Sequence, residues 1–170
     1  MQLDGISMAE DVVRALGYLC LGTRLKRIGE RLQSDTQRVI DEAGAPIQAS
    51  QFPLVAAIDR IGPLSIGELA EAIGITQPAA TRASSLLVKA GLLQIEPAAD
   101  QRRRVLSLTR KGRQLVDKAR REIWPHVESA VAGLCGGLTG PLLDQLASIE
   151  DGLADKPLHR RVKVAEKVGP

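Results

Sequence analysis

Leu21, Leu25, Ile28 and Leu32 recur at steps of four, three and four, with Arg24, Lys26, Arg27, Glu30 and Arg31 pointing elsewhere. That spacing lays one narrow apolar stripe along a helix. A capping box at Ser7-Met8-Ala9-Glu10 predicts where the helix starts, because a Ser hydroxyl and a Glu carboxylate reciprocally satisfy backbone donors there. Gly44 and Pro46 close it, so the pattern predicts one long helix running toward Gly44. Phe52 to Ile58 predicts a shorter helix packed toward the centre and ended by Gly62-Pro63.

The next tract changes character. Ser65-Ile66-Gly67-Glu68 is a second capping box, opening a helix over 66–73 with Leu69, Ala70 and Ile73 inward, and Gly74 supplies a turn. Thr76 or Gln77 caps the following helix, since Pro78 is tolerated in a first turn and biases its predecessor away from helical angles. That helix continues to Ala90. It places the small or apolar Ala80, Ala83, Ser84 and Leu87 on one side and the polar Gln77, Thr81, Arg82 and Ser85 on the other. Gly91 stops it, and residues 92–96 and 103–108 pair as a two-stranded ribbon around a charged loop. Two short helices followed by a basic hairpin predict a winged helix-turn-helix, in which one helix fits the major groove of a duplex and a charged loop sits beside it.

Beyond the ribbon, Thr109 caps another long helix with Val116, Ala119, Ile123, Val127, Val131 and Leu134 inward, and Pro125 predicts a kink without a break. After Gly136-Gly137, Thr139 and Pro141 begin a last helix whose Leu142, Leu146, Ile149 and Leu153 repeat the four-three-four spacing. The stripes of the first and last helices read as a shared interface between two chains; the alternative is that each folds into its own subunit. The expected organisation is an N-terminal dimerisation helix over 1–45, a DNA-binding lobe over 46–112, C-terminal dimerisation helices over 113–155 and a flexible basic tail over 156–170.

Composition narrows the function. With 170 residues, 44% of them hydrophobic, the chain suffices for one modest domain, and an aromatic content of 2% leaves few stacking platforms for single-stranded nucleic acid. Net charge is only +3, but the cations cluster at Arg102 to Arg104, at Arg110 to Arg113 and in the tail, so local patches outweigh the total. No secretory leader pattern and no apolar run of bilayer length appear, and a cytoplasmic location is expected. His126 and His159 stand in no metal-ligand spacing, and no phosphate-cradling glycine loop or nucleophile-base pattern is present, so neither a metal, a cofactor nor catalysis is expected.

The helix-turn-helix, the Gly91-Leu92-Leu93 exit and the string from Asp100 through Arg102 to Leu108-Thr109 and Gly112 resemble the MarR family of bacterial transcription regulators over nearly the whole chain. The Asp100 to Gly112 string is the most specific part, because it sets a turn, a strand and a helix cap together. The resemblance implies a homodimer on palindromic double-stranded DNA. It implies that Asp100 braces the wing, that Arg102 enters or borders the minor groove, and that Arg103 and Arg104 neutralise flanking phosphates. The helix from Gln77 would enter the major groove, with Gln77, Thr81, Arg82 and Ser85 near base edges or phosphates, Pro78 against a thymine methyl and Lys89 on the backbone. Two positions depart from the pattern: Gln101, where many relatives have Arg, and Ile95, where a basic residue is common.

Members of the family commonly respond to small aromatic or lipophilic effectors held between the dimer helices and the DNA lobe. Tyr18, Cys20, Trp124 and His126 are the candidate lining of such a site here, set against a plain core role for the Trp and Cys. Some relatives sense peroxides through a cysteine near the position of Cys20, which makes a redox-sensing regulator one alternative, and Cys135 carries less support. A second alternative is the regulatory part of a larger acetyltransferase-containing protein, which needs more chain than the 170 residues here. A third is a protein-interaction module, against which Arg82 and Arg102 argue.

Overall fold

A computed structural model of the chain describes residues 10–97 and 104–156. Asp11 caps a short helix, α1 (Val12–Ala15), by accepting from the Arg14 backbone amide at 3.2 Å. Arg27 donates to both Asp11 carboxylate oxygens at 3.1 and 2.9 Å, and these hydrogen bonds hold the carboxyl below its usual range. The expected unbroken helix is not formed. Gly17 takes a left-handed φ of 56°, Gly17–Cys20 is a 3-10 turn, and α2 begins anew and runs over Leu21–Glu42. The capping box proposed at Ser7 to Glu10 lies almost wholly outside the described residues, and Glu10 itself is not helical.

A second 3-10 turn, Ala49–Gln51, leads into α3 (Phe52–Ile61), and Gln37 of α2 ties it down. The Gln37 carboxamide accepts from the Ala49 amide at 2.7 Å and donates to the Ile47 carbonyl at 3.3 Å. Then come α4 (Ile66–Ile73) and α5 (Gln77–Lys89), each opened by the predicted cap. Ser65 and Glu68 exchange the two bonds of a capping box, and Thr76 accepts from the Ala79 amide at 3.4 Å. Strands β1 (Leu93–Pro97) and β2 (Arg104–Leu108) pair antiparallel from Leu93 opposite Leu108 to Pro97 opposite Arg104. Leu64 adds a one-residue third rung by exchanging backbone bonds with Leu106 at 3.1 and 2.7 Å.

Thr109 caps α6 (Arg110–Glu122), accepting from the Gly112 amide at 3.0 Å. The continuous kinked helix expected past Pro125 is divided instead. At Ile123, φ −117° and ψ −58° end α6, and α7 (Trp124–Cys135) starts with Pro125 in its first turn, where a missing N–H costs nothing. No residue of α7 is buried, so Val131 and Leu134 do not face a core as expected, and Leu134 is 71% exposed. The last helix, α8 (Leu142–Asp155), follows Pro141 and also buries nothing.

The chain divides into two compact units, residues 1–127 and 128–170. The core belongs to the first. Val55, Ile58, Leu69, Leu87, Leu92, Leu106, Val116 and Ile123 are all at most 3% exposed, with Ile40 of α2 joining them at the end of its helix. Among the described residues no helix is long and apolar enough to cross a membrane.

Candidate nucleic-acid interface

The polar face of α5 follows from which of its residues the core takes. Ala80, Ser84 and Leu87 are buried, and Ala83 is half-buried, so small side chains let α5 lie close against α4. On the far side Gln77, Pro78, Thr81, Arg82, Ser85 and Lys89 are all exposed, as the sequence predicts. The Thr81 hydroxyl donates to the Gln77 carbonyl at 2.9 Å, and the Ser85 hydroxyl donates to the Thr81 carbonyl at 2.8 Å. Both hydroxyl hydrogens are thus committed to helix carbonyls, which leaves the two oxygens free to act as acceptors. Leu86, 58% exposed, is an outward position that the sequence analysis missed, although it stands one turn beyond Arg82.

Charge on this surface is available to an external anion. Arg82, Lys89 and Arg104 pair with no acid among the described residues. Arg104 opens β2 at the exposed end of the ribbon, opposite Pro97. Asp100, Arg102 and Arg103 lie outside the described residues. Ile95 is 54% exposed on β1, so the wing presents an apolar side chain there. Of the basic cluster at Arg110 to Arg113, two members are engaged with backbone: Lys111 donates to the Ala90 carbonyl at 2.9 Å and Arg113 to the Leu108 carbonyl at 2.7 Å. An exposed helix, capped at its start and flanked by a ribbon with a cation at its open end, is an arrangement that fits a duplex.

Residues 45–104 match the sequence profile of the MarR family. The HTH-type transcriptional regulator FarR of Neisseria gonorrhoeae is 30% identical over 128 residues, which cover 73% of this chain and 86% of FarR. The chain belongs to the MarR family. It is therefore a DNA-binding transcriptional regulator of that family, with the winged-helix fold. Solved structures agree on the fold. The M. tuberculosis regulator MosR in complex with DNA superposes with a TM-score of 0.65 at 24% identity, covering 81% of this chain and 96% of that one. Bordetella bronchiseptica BpsR, whose DNA binding is regulated by 6-hydroxynicotinic acid, gives a TM-score of 0.63 at 24% identity over 79% of this chain and 93% of its own.

The four candidate effector residues are scattered in environment. Tyr18 is 93% exposed in the first 3-10 turn, and Cys20 is half-buried just before α2. Trp124 is half-buried, edge-on to Phe52 with ring centroids 6.2 Å apart, and the Arg120 guanidinium lies 6.0 Å from its ring. His126 is exposed on α7. Clefts of about 210, 450 and 360 Å³ among the described residues are lined by other side chains. Among the described residues no cluster of three or more His, Cys, Asp or Glu is placed to hold a metal ion.

Proposed function

We propose that this MarR-family regulator is a cytoplasmic homodimeric repressor that binds an inverted repeat in double-stranded DNA and is released by a small lipophilic or aromatic effector. The observation that carries this reading is the outward face of α5, where Gln77, Thr81, Arg82 and Ser85 stand exposed beside the wing. In this reading α5 enters the major groove, with Pro78 against a thymine methyl and Lys89 on the backbone, while Arg102, Arg103 and Arg104 carry the wing's phosphate and minor-groove contacts and Asp100 braces the loop. Two such helices related by a twofold axis require half-site centres about 10 to 10.5 bp apart.

Exposed apolar side chains outside the DNA lobe support the dimer. Leu25 and Ile28 of α2 are 40% and 47% exposed, and Ile149 and Leu153 of α8 are 41% and 47% exposed. Residues 1–45 and 113–155 are therefore assigned to the subunit interface, 46–112 to the DNA lobe and 156–170 to a basic tail. Tyr18, Cys20, Trp124 and His126 are proposed to border the effector site once two subunits are joined, and the effect of 6-hydroxynicotinic acid on BpsR supports that mode of control. An effector releases DNA only by preferring a dimer geometry in which the two α5 helices no longer match adjacent grooves.

Selection of bound fragments from random duplex, followed by titration of Arg102→Ala, tests this reading. The selected fragments are expected to be palindromic, and loss of one phosphate contact lowers the salt slope by about one unit. An unselective protein, or a slope unchanged in that variant, contradicts it.

A further inference from the structure

The carbonyls of the three residues that follow α5 are held by Thr109, the cap of α6, and by Lys111 in its first turn. The carbonyls of Leu86, Leu87 and Val88 are met by the amides of Ala90, Leu92 and Gly91, and the cap carbonyl of Ala90 lies at the negative end of the helix dipole, where a cation is favoured. Here Ala90 accepts from the Lys111 ammonium at 2.9 Å, Gly91 accepts from the Thr109 hydroxyl at 2.7 Å, and Leu92 accepts from the Thr109 amide at 3.1 Å. Thr109 also accepts from the Gly112 amide, so one side chain caps α6 and holds the exit from α5. The two backbones approach so closely that a Cβ on Gly112 would lie 2.1 Å from the Leu92 carbonyl oxygen.

Next to Arg110 and two residues before Arg113, Lys111 has the sequence context of a phosphate ligand. Its ammonium instead donates to the Ala90 carbonyl. We infer that Lys111 is a positioning residue for DNA recognition: it pins the C-terminal end of α5 to α6, fixes the angle at which Gln77, Thr81, Arg82 and Ser85 meet the bases, and contacts no phosphate. Of the three grips it is the one made by a long side chain at the end of the helix proper. Its removal leaves the Thr109 bonds and the fold in place while letting that end of α5 shift. The inference rests on the DNA-binding reading above.

The test compares Lys111→Met, Lys111→Arg and the unmodified dimer on the selected operator and on random duplex, across a salt series, with thermal unfolding alongside. Lys111→Met is expected to lose about tenfold in operator affinity, the scale of one charge-assisted hydrogen bond, with random-duplex affinity and salt slope unchanged. Lys111→Arg, which can donate to the same carbonyl, is expected to recover most of the operator affinity. A salt slope reduced by about 0.9, with operator and random duplex weakened alike, would show a phosphate contact and overturn the inference. An unchanged ratio of operator to random-duplex affinity with a lowered unfolding midpoint would reduce Lys111 to a stability cap and overturn it too. Failure of the unmodified protein to bind any duplex is a separate result, which removes the DNA-binding reading and this role with it.

Discussion

The winged lobe and the terminal helices use the same residue types to opposite ends. In the lobe, Leu69, Leu87, Leu92 and Leu106 are at most 3% exposed, and the turns that lead into α4, α5, β1 and α6 are closed by caps or by glycines with positive φ. Outside it, α7 and α8 bury no residue; Leu143 is 78% exposed, and near the other end Leu19 is 82% exposed. An amphipathic stripe is only half of a packing arrangement. The lobe's core holds both halves, completed by Ile40 of α2 and by Val116, Ala119 and Ile123 at the other end, whereas Leu25 and Ile28 of α2 and Ile149 and Leu153 of α8 stand exposed along their stripes. The lobe is thus a packed unit, and the exposed stripes of the terminal helices are the surfaces proposed above for the subunit interface.

The sharpest way to break the lobe without touching the stripes is Gly112→Ala. Its Cβ would meet backbone at 2.1 Å, and backbone cannot step aside as a flexible side chain can. A loss of about 3 kcal/mol or more is expected in urea unfolding, in the range that marks forced overpacking at a close backbone approach. The complementary break is the double variant Leu25→Glu with Ile28→Glu, which alters exposed residues only. The dimer dissociation constant is expected to rise about 100-fold, roughly 3 kcal/mol, with the lobe's secondary structure retained by circular dichroism. Light scattering as a function of concentration reads the outcome, and an unchanged dimer would show that the stripes pack elsewhere.

Two smaller changes sharpen the picture inside the lobe. Thr81→Val keeps the side-chain shape and removes the oxygen, so base preference at one position of each half-site is expected to change by about 1 to 3 kcal/mol, with random-duplex binding untouched. Ser84→Ala acts in the other direction. Ser84 is 2% exposed and its buried hydroxyl has no hydrogen-bond partner among the described residues, so its removal is expected to stabilise the fold by about 1 kcal/mol in thermal unfolding. Destabilisation by Ser84→Ala would mean that the hydroxyl is satisfied.

The lobe was readable because its boundaries are chemical. Ser65 with Glu68, Thr76 before Pro78, Gly91 and Thr109 each satisfy or redirect specific backbone groups, and the structure uses all of them as predicted. What escaped were features without a periodic signal. A single glycine inside a helical pattern is ordinarily tolerated, so Gly17 gave no warning that it would break the first helix. The division at Ile123 looks in sequence like any proline kink. The rung between Leu64 and Leu106 is too short to alternate, and the capture of Lys111 by the Ala90 carbonyl depends on tertiary contact between elements that are distant in the chain. Of the DNA-contact candidates, the α5 residues and Arg104 stand exposed where expected, while Asp100, Arg102 and Arg103 lie outside the described residues.

The mass of the complex on a selected palindromic operator tests the central claim most directly. Multi-angle light scattering is expected to show two chains per duplex, with both half-sites protected and their centres about one helical turn apart. One chain per duplex, or equal protection of any sequence offered, would contradict it.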